Sequence, residues 1–463
     1  MTKWLPDLRR AEGAIYLEIA TAITTAVESG ELPAGTKLPT HRDLAYRLGV
    51  SIQTVSAGYR EAERRGLVVG ETGRGTFVRN APKPATSQFI VDRRDDDLID
   101  LSISRPVSGA IHEDAIRRTL AQAAEDLELA VMLSCRPIAG LDRHRAAASH
   151  WLGRHGVEAP PGQVVICNGA AHGLLLALAT LTDPGDTVAT DVLTDHGFIL
   201  LANSLHVRLR PLASDDQGIT PKSFEAACRT TNIKALFTVP TFNNPDLSVM
   251  SAERRQALAG IARRHGIAII EDDPYAPLCE NRPPTLRSFA PERTFYVTTF
   301  TKCLLPGLRT GYLVAPSHAI PRILSRLRAT TWMATPLVAE IAARWIGDGT
   351  AERLIAWQRQ ELVARQKSLE SELRGTGLVY RRNALHAWLP VPEEWRVEAF
   401  AASLRQRNVA VTPAEVFVVG REMEPHFVRL SLGAARTRAQ FEHGLRIVAE
   451  MLARNPEPIL VET

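Results

Sequence analysis

The sequence predicts an α/β chain of two parts, a small N-terminal domain and a large domain with a mainly parallel sheet. Two observations carry this prediction. From residue 98 onward, short apolar segments rich in β-branched residues alternate with amphipathic segments of helix length, which is typical of a parallel sheet covered by helices. Before them, residues 81–97, "APKPATSQFIVDRRDDD", combine prolines, small polar residues and a charge run. Such a stretch cannot form a core and predicts a linker.

Length and composition support this division. The chain has 463 residues, more than one hydrophobic core usually serves, and 45% apolar with 23% charged residues is typical of a folded chain. The five cysteines form no C-x-x-C pair, which favours a reducing compartment and predicts no cysteine-based metal site. No apolar run reaches the length of a membrane span. We therefore expect a cytoplasmic protein with no metal and no membrane partner.

Residues 1–80 have the pattern of a DNA-binding domain. Residues 14–30 predict a first helix, and residues 38–67 predict a short helix, a turn at Gly49 and a second helix starting near Ser51. Two helices joined by a tight glycine turn form a helix-turn-helix, whose second helix can enter the major groove of DNA. Residues 67–78, "LVVGETGRGTFV", predict two strands around a glycine-rich turn, which is a wing.

The order of these segments is similar to the winged helix of GntR-type bacterial transcription regulators. The residues that carry the resemblance are "GTKLPTHRDLA", "LGVS", "TVSAGYREAERRGL" and "GRGTFV". In one departure, Ile52 stands where the family often has arginine, so the operator sequence does not carry over. The DNA-facing residues that the resemblance implies are Arg42, Ser51, Gln53, Thr54, Arg74 and Gly75. Arginine suits phosphates, and Gln53 can reach a base edge.

The large domain has polar residues where its predicted strands end. In "AIIEDDPYAPL" (268–278), Asp272 and Tyr275 follow an apolar strand at the end where parallel α/β sheets bind ligands, although acidic clusters also occur at solvated strand ends. A carboxylate there can hold a pyridinium N–H, and a tyrosine can contact a phenolic oxygen. The segment "NGAAHGLLLALAT" (168–180) opens a helix whose first N–H groups suit a phosphate, and "PTFNNPD" (240–246) places amides in a loop.

These segments precede "TTFTKCLLPGLRTG" (298–311), which contains Lys302 and Arg309. Together, over roughly residues 100–455, they resemble the large domain of fold-type I aminotransferases that use pyridoxal 5′-phosphate. The segment "TFTK…PGLRTG" matches the family pattern "SxSK…PGxRxG" with threonine in place of serine. The resemblance implies a small C-terminal α+β subdomain and assigns residues 98–463 to cofactor binding, effector binding and dimerisation.

By this resemblance Lys302 forms the Schiff base with the cofactor, and Asp272 pairs with its ring nitrogen. The resemblance assigns the phosphate to Arg309 and Thr299 and to the N–H groups of Gly169, Ala170 and Ala171. Tyr275 and Asn244 flank the O3′ oxygen of the ring. Arg429 in "HFVRLSLGA" (426–434) would grip a carboxylate of the effector through its bidentate guanidinium.

Three departures from the family bear on catalysis. Asp195 in "LTDHGF" (193–198) stands at the position of the tyrosine that stacks on the ring, which leaves His196 or Phe198 as the stacking residue. Cys135 takes the place of a tyrosine that reaches the partner's phosphate, and "NPDL" replaces "NPTG". These changes leave cofactor capture intact but argue against efficient turnover, so we assign no catalytic residue.

A GntR-type winged helix fused to an aminotransferase-like domain is the architecture of the MocR subfamily of regulators. The resemblance implies a DNA-binding regulator that senses a primary amine or amino acid through the Lys302 aldimine and adjusts a nitrogen-compound pathway. It also implies a homodimer, head-to-tail, that binds operator DNA. Two alternatives stay open: an active aminotransferase with an accessory DNA-binding domain, and a plain repressor whose large domain is a dimerisation scaffold.

Overall fold

The structure is a computed structural model. It describes residues 4–6, 15–28, 31–33, 35–64, 67–71, 75–78, 97–133, 135–420 and 425–454. Of these residues, those up to 78 form one compact unit and those from 97 onward form another. The predicted linker at 81–97 lies almost wholly outside the described residues.

The first unit contains three helices and a two-stranded antiparallel sheet. Its elements are α1 (Ile15–Glu28), α2 (His41–Leu48), α3 (Ile52–Arg64), β1 (Val68–Glu71) and β2 (Gly75–Val78). The hydroxyl of Thr40 caps α2 by accepting from the N–H of Asp43, and Gly49 ends this helix with a φ of 67°. That left-handed conformation favours glycine, so the sequence itself sets the tight turn before α3. Leu44, Val55 and Tyr59 lie in the core of this unit.

The second unit alternates helices and strands. Its helices are α4 (Ala110–Asp126), α5 (Leu129–Leu133), α6 (Asp142–Arg154), α7 (Ala170–Leu181), α8 (His196–Ser204), α9 (Pro221–Thr230), α10 (Ala252–Arg264), α11 (Leu286–Phe289), α12 (Ile320–Thr330), α13 (Pro336–Gly347), α14 (Thr350–Glu372), α15 (Val397–Gln406) and α16 (Arg438–Leu452). Its strands are β3 (Ile99–Asp100), β4 (Val164–Cys167), β5 (Thr187–Asp191), β6 (Arg208–Leu212), β7 (Ser214–Asp215), β8 (Gly218–Ile219), β9 (Ile233–Thr238), β10 (Ala268–Asp272), β11 (Thr294–Thr299), β12 (Gly311–Val314), β13 (His386–Pro390), β14 (Val409–Ala410), β15 (Thr412–Pro413) and β16 (Phe427–Ser431).

The central sheet of this unit has seven strands in the order β4-β12-β11-β10-β9-β5-β6. The pairs β11–β10, β10–β9, β9–β5 and β5–β6 are parallel, and β12 is antiparallel to both of its neighbours. The predicted mainly parallel sheet is therefore confirmed. Its parallel strands place their carboxyl ends along one edge, where the ends of β10 and β11 bring the two ligand-binding segments together.

A smaller sheet near the C-terminus has the order β13-β16-β15, and β14 pairs in parallel with β3. Because β3 comes from the start of this unit, the first described residues after the linker pack against its last quarter. In the part of the chain that the structure describes, no helix is both long and apolar enough to cross a membrane.

Candidate functional site

The acidic run at the end of β10 is buried. Glu271, Asp272 and Asp273 are each at most 5% exposed, so the alternative of a solvated strand end is wrong. Glu271 accepts hydrogen bonds from the N–H groups of Leu286 and Arg287, each at 2.9 Å. Asp273 forms an ion pair with Arg282 at 2.5 Å. The outer two carboxylates thus have structural partners, and Asp272 is the one left to face a ligand.

Asp272 has an unused acceptor. Its Oδ1 atom is buried and has no hydrogen-bond partner among the described residues. Burial raises the pKa of Asp272 well above its usual value, the carboxylates of Asp195 and Asp273 raise it further, and the Lys302 ammonium opposes them. A buried carboxylate oxygen without a donor is costly. The position therefore suits a cationic N–H group of a ligand.

Lys302 lies in the short 3₁₀ turn that follows β11. Its Nζ donates to the carbonyl oxygen of Ser104 at 2.5 Å. Burial lowers the pKa of Lys302 to about 8, the carboxylate of Asp195 raises it, and the guanidinium of Arg429 lowers it. A lysine with this pKa has a sizeable neutral fraction near neutral pH, and the neutral amine is the nucleophilic form.

Arg309 and Gly169 meet at the start of α7. Arg309 is exposed, has a φ of 44° and has no hydrogen-bond partner in the described part of the chain. A Cβ atom on Gly169 would lie 3.0 Å from Nη2 of Arg309, and one on Gly311 would lie 2.6 Å from the carbonyl carbon of Gly169. The first residues of α7, Ala170 and Ala171, carry N–H groups that have no partner within the helix. Together these groups have the chemistry that suits an anion.

Thr299 is already engaged. Its hydroxyl donates to the carbonyl oxygen of Thr310 at 2.7 Å and accepts from the N–H of Thr301 at 3.1 Å. These bonds cap the turn that presents Lys302. In this structure Thr299 therefore positions the lysine, while its predicted contact with a phosphate stays a prediction.

Asp195, Asn244 and Arg429 form a chain of hydrogen bonds. Asn244 donates from Nδ2 to Oδ2 of Asp195 at 2.7 Å, and Arg429 donates from Nη1 to Oδ1 of Asn244 at 2.7 Å. Burial acts to raise the pKa of Asp195, but the nearby charges of His196 and Lys302 hold it below its usual value. Burial lowers the pKa of Arg429, and the nearby Tyr275 and Asp195 act to raise it. Asp195 is thus a charged member of the site.

Tyr275 is buried beside Lys302's acceptor. Its hydroxyl lies 3.5 Å from Oγ of Ser104, and burial raises its pKa above the ordinary value. The structure therefore brings Lys302, Asp272, Tyr275, Asn244 and Arg429 into one site with Ser104.

The two candidates for the residue that stacks on the cofactor ring lie in different surroundings. Phe198 is fully buried and stacks on Phe237 with ring centroids 3.5 Å apart, so it belongs to the core and is excluded as a ligand contact. His196 is half-buried, lies edge-on to Phe417, and has an Nδ1 atom without a hydrogen-bond partner among the described residues. His196 is the candidate that stays next to the site.

In the first unit, the predicted DNA-facing residues play different parts. Arg42 and Gln53 are exposed. Ser51 caps α3, since its Oγ accepts from the N–H of Thr54 at 3.0 Å and lies 2.8 Å from the Thr54 hydroxyl. Gly75 has a φ of 116° at the start of β2, and Arg74 lies outside the described residues.

Sequence reasoning missed several residues near these sites. Tyr46, on α2, is 89% exposed, and Lys37 contacts the position where Gly75 would carry a Cβ atom. Ser102 and Ser104 contribute backbone carbonyls to Arg429 and Lys302. For Tyr46 the sequence did offer a signal, because a tyrosine stands within the predicted helix-turn-helix. Carbonyl contacts leave no such signal, because every residue has a carbonyl.

The geometry agrees with comparisons to known proteins. The family model described as "Aminotransferase class I and II" matches residues 96–448. The chain belongs to the aminotransferase class I and II family. The model of bacterial regulatory proteins of the gntR family matches residues 15–78, so this aminotransferase-family chain begins with a GntR-type helix-turn-helix domain.

Relatives over the full length are regulators of the same architecture. The HTH-type transcriptional regulator YdeF of Bacillus subtilis is 29% identical over 97% of this chain and 96% of its own. TauR of Rhodobacter capsulatus is 26% identical over 91% and 93%. The vitamin B6 salvage pathway transcriptional repressor PtsJ of Salmonella typhimurium is 25% identical over 91% and 95%. The predicted MocR-type architecture is confirmed, and the chain is a DNA-binding transcription regulator with an aminotransferase-like domain.

Solved structures share the fold of the second unit. An archaeal alanine:glyoxylate aminotransferase has a TM-score of 0.71 and 23% identity, covering 77% of this chain and 91% of its own. Pyrococcus horikoshii kynurenine aminotransferase has a TM-score of 0.70 and 23% identity, with the same coverage. The predicted fold-type I aminotransferase fold is confirmed.

The cofactor of this family is pyridoxal 5′-phosphate, and the residues present fit it. Oδ1 of Asp272, which has no partner in the described ranges, suits the protonated ring nitrogen. At the start of α7, Gly169 lies against Arg309, whose guanidinium is unpaired in the same ranges, and this arrangement suits a phosphate. Lys302 supplies a buried amine with a lowered pKa.

Proposed function

We propose that the chain senses a small primary amine or amino acid through Lys302 and changes its affinity for operator DNA in response. The observation that carries the proposal is the placement of Lys302. Its amine lies in a buried site with a lowered pKa, near both Asp272 and Arg429. That combination gives the site a reactive amine, a partner for a pyridinium, and a carboxylate-binding group, attached to a DNA-binding domain.

Each side chain has a distinct task in this proposal. Bound pyridoxal phosphate supplies an aldehyde that condenses reversibly with primary amines. Asp272 holds the ring nitrogen in its protonated form through charge. Arg309 and the N–H groups of Gly169, Ala170 and Ala171 hold the phosphate, and Tyr275 and Asn244 orient the ring through O3′. Lys302 presents the amine that an effector amine must replace.

Arg429 is proposed to choose among effectors. It is 2% exposed, and its Nε atom has no hydrogen-bond partner among the described residues. A guanidinium binds a carboxylate through two parallel hydrogen bonds. An effector carboxylate would therefore bind Nε together with Nη2, replacing the neutral carbonyl oxygen of Ser102 with a charged acceptor, while Nη1 stays bound to Asn244. We propose that amines with a carboxylate bind more tightly than plain amines for this reason.

A homodimer is proposed from an apolar surface on α4 and α5. Leu129 and Leu133 are 67% and 74% exposed, and Leu120 and Met132 are also exposed. Exposed apolar side chains concentrated on two consecutive helices favour an interaction surface. Light scattering on the purified protein tests this: a dimeric mass that becomes monomeric in Leu129→Asp/Leu133→Asp supports it, and a monomeric wild type refutes it.

An active aminotransferase is the second candidate, because Lys302, Asp272 and Arg429 are all retained. It predicts conversion of an amino acid and 2-oxoglutarate at ordinary turnover rates, on the order of 1 s⁻¹ or more. The sensor predicts binding without such turnover.

An absorbance titration tests the proposed function. Purified protein is loaded with pyridoxal phosphate and titrated with glycine, β-alanine, γ-aminobutyrate, taurine and propylamine. The proposal predicts that the visible band of the lysine-bound cofactor forms in the wild type and not in Lys302→Ala, and that amines change it. A wild type that acquires no such band would refute the proposal.

A further inference from the structure

The segment at 101–104 accepts hydrogen bonds from both Lys302 and Arg429. It continues from β3, which pairs in parallel with β14. In the sequence it follows the predicted linker within a few residues. We call residues 101–104 the strap.

One edge of the strap is fixed by the C-terminal subdomain. The carbonyl oxygen of Leu101 accepts from the N–H of Ser431 at 2.7 Å. The carbonyl oxygen of Ile103 accepts from the hydroxyl of the same serine at 2.6 Å. Since neither donor belongs to the ligand-binding groups, we expect these bonds to persist whatever the site binds.

The other edge is held by the site itself. The carbonyl oxygen of Ser102 accepts from Nη2 of Arg429 and from the hydroxyl of Thr412 at 3.0 Å. The carbonyl oxygen of Ser104 accepts from Nζ of Lys302 at 2.5 Å. The carbonyls of Leu101 and Ile103 are thus bound by Ser431, outside the ligand-binding groups. Those of Ser102 and Ser104 accept from the two ligand-binding cations, with Thr412 donating to Ser102 as well.

We propose that the carbonyl of Ser104 holds the amine of Lys302 whenever that amine is not joined to the cofactor, so that the strap has two states. This inference rests on the proposed function, because it requires Lys302 to alternate between a bonded and a free form. When Lys302 is joined to the cofactor, Nζ no longer donates to the carbonyl of Ser104. When Lys302 is free, Nζ donates to that carbonyl again. Ser104 is thus a positioning residue for the lysine that an effector releases.

The covalent steps balance without an oxidant or reductant. Lys302 in its neutral form attacks the aldehyde carbon of the cofactor, a C=N bond forms, and the aldehyde oxygen leaves as water. A primary amine from the effector then adds to the same carbon. Its own C=N bond forms as the bond to Nζ breaks, and two protons move from the incoming nitrogen to Nζ. Lys302 is left as a free amine beside Ser104.

Arg429 loses its bond to the strap at the step in which Lys302 gains one. An effector carboxylate draws its guanidinium away from Ser102, at the step in which Lys302 returns to Ser104. The strap is therefore bound by Arg429 at Ser102 before the effector binds and by Lys302 at Ser104 afterwards, while Thr412 keeps its bond to Ser102 throughout. The strap follows the predicted linker in the sequence. The exchange of hydrogen bonds therefore couples the covalent reaction at Lys302 to the part of the chain that connects with the DNA-binding domain.

The carbonyl carbon of Ser104 can be observed selectively. Ser-Arg occurs only at Ser104–Arg105 and Ser325–Arg326. Protein labelled with ¹³C at serine carbonyls and ¹⁵N at arginine therefore gives two signals in a correlation between the carbonyl and the following amide. Ser325 lies exposed on α12 and is an internal control. A hydrogen bond to a carbonyl moves its carbon signal downfield, so loss of the bond moves it upfield.

The experiment compares four states of the full chain. These are the ligand-free protein, the protein with pyridoxal phosphate, the same complex reduced with borohydride so that Lys302 stays joined, and the protein with N-(5′-phosphopyridoxyl)-glycine. The last ligand carries the same ring but cannot bond to Lys302. The proposal predicts an upfield Ser104 signal in the second and third states and a downfield signal in the first and fourth. The Ser325 signal stays constant.

The outcomes separate this inference from the proposed function. The absorbance of the same samples reports whether Lys302 joins the cofactor, and its absence would refute the proposed function. If the band forms but the Ser104 signal is the same with pyridoxal phosphate and with the glycine adduct, the inference is wrong. Lys302→Ala supplies a further check, since its Ser104 signal must be upfield even without ligand.

Discussion

Asn244 donates from Nδ2 to the carboxylate of Asp195 at 2.7 Å while its Oδ1 accepts from Arg429. The amide is thereby fixed in one orientation, with its oxygen toward the guanidinium. In the related aminotransferases that the sequence resembles, an aromatic residue is expected where Asp195 stands. We propose that the charged group at this position orients Arg429 through Asn244.

Replacing Asp195 tests this relationship. In Asp195→Leu the amide of Asn244 loses its acceptor, so Arg429 is held less firmly. A hydrogen bond to a charged group contributes about 1.5–3 kcal/mol, so we expect glycine affinity to fall at least about tenfold in an absorbance titration of the protein loaded with pyridoxal phosphate.

Asp195→Asn is the matched control, because its carbonyl oxygen can still accept from Asn244. It removes the charge and keeps the hydrogen bond, so its glycine affinity lies closer to that of the wild type. Equal losses in both variants would assign the effect to charge and contradict the orienting role.

Arg429→Lys separates carboxylate recognition from amine chemistry. Lysine keeps the positive charge but loses the bidentate geometry. We expect binding of β-alanine to weaken by about tenfold or more, while propylamine, which has no carboxylate, binds as in the wild type. If both amines weaken by the same factor, Arg429 acts on the site as a whole and not on the carboxylate.

The pH dependence of cofactor capture follows from the lowered pKa of Lys302. Only the neutral amine attacks an aldehyde, and burial brings its pKa to about 8. Because the folded pKa lies below the ordinary value of 10.5, the neutral fraction rises with pH and is nearly complete above about 9. Stopped-flow absorbance should show a capture rate that rises about tenfold per pH unit well below pH 8 and then levels off.

The same measurement on N-acetyl-lysine is the control. Its rate should continue to rise through pH 9, since its amine is solvated and titrates near 10.4. A protein profile that parallels the free amine would show that Lys302 does not have the environment described above.

Arg42 tests the DNA-facing surface. It is exposed next to the N-terminus of α2. If it contacts a phosphate, Arg42→Ala weakens binding to all DNA sequences and reduces the slope of log affinity against log salt by about 1. Arg74→Ala is expected to act in the same way, and Gln53→Ala to relax base preference at one position.

Arg229→Ala is the matched control, since Arg229 is an exposed arginine of the second unit paired with Glu225. Fluorescence anisotropy over a salt series measures all four variants. Unchanged affinity and salt slope in both Arg42→Ala and Arg74→Ala would contradict the proposed interface.

Much of the fold was predictable because its signals are local. Gly49 marks a left-handed turn between two helices, and the β-branched segments mark buried strands such as β10 and β11. The covalent lysine segment was also readable, since Lys302 and Arg309 lie in one short motif. The helix-turn-helix and the strand that precedes Asp272 accordingly lie within a few residues of their predicted positions.

The parts that were not predictable depend on contacts between distant residues. Ser104 meets Lys302 across 198 residues of chain, through a backbone carbonyl that no residue type marks. Phe198 was a candidate ligand contact until its stacking on Phe237 placed it in the core. The hydroxyl of Thr299 donates to the backbone of Thr310, a contact that the sequence did not predict, and its contact with a phosphate stays a prediction. These features depend on tertiary packing, which the local sequence does not determine.

The most direct test of the central claim is the operator affinity of Lys302→Ala with and without an amine. The operator is a fragment selected from a random DNA pool by the wild-type protein, and both proteins are loaded with pyridoxal phosphate. We predict that the amine that most changes the wild-type absorbance also changes wild-type operator affinity by about fivefold or more, and that Lys302→Ala binds the fragment but does not respond. A normal response in Lys302→Ala would contradict covalent sensing through this lysine.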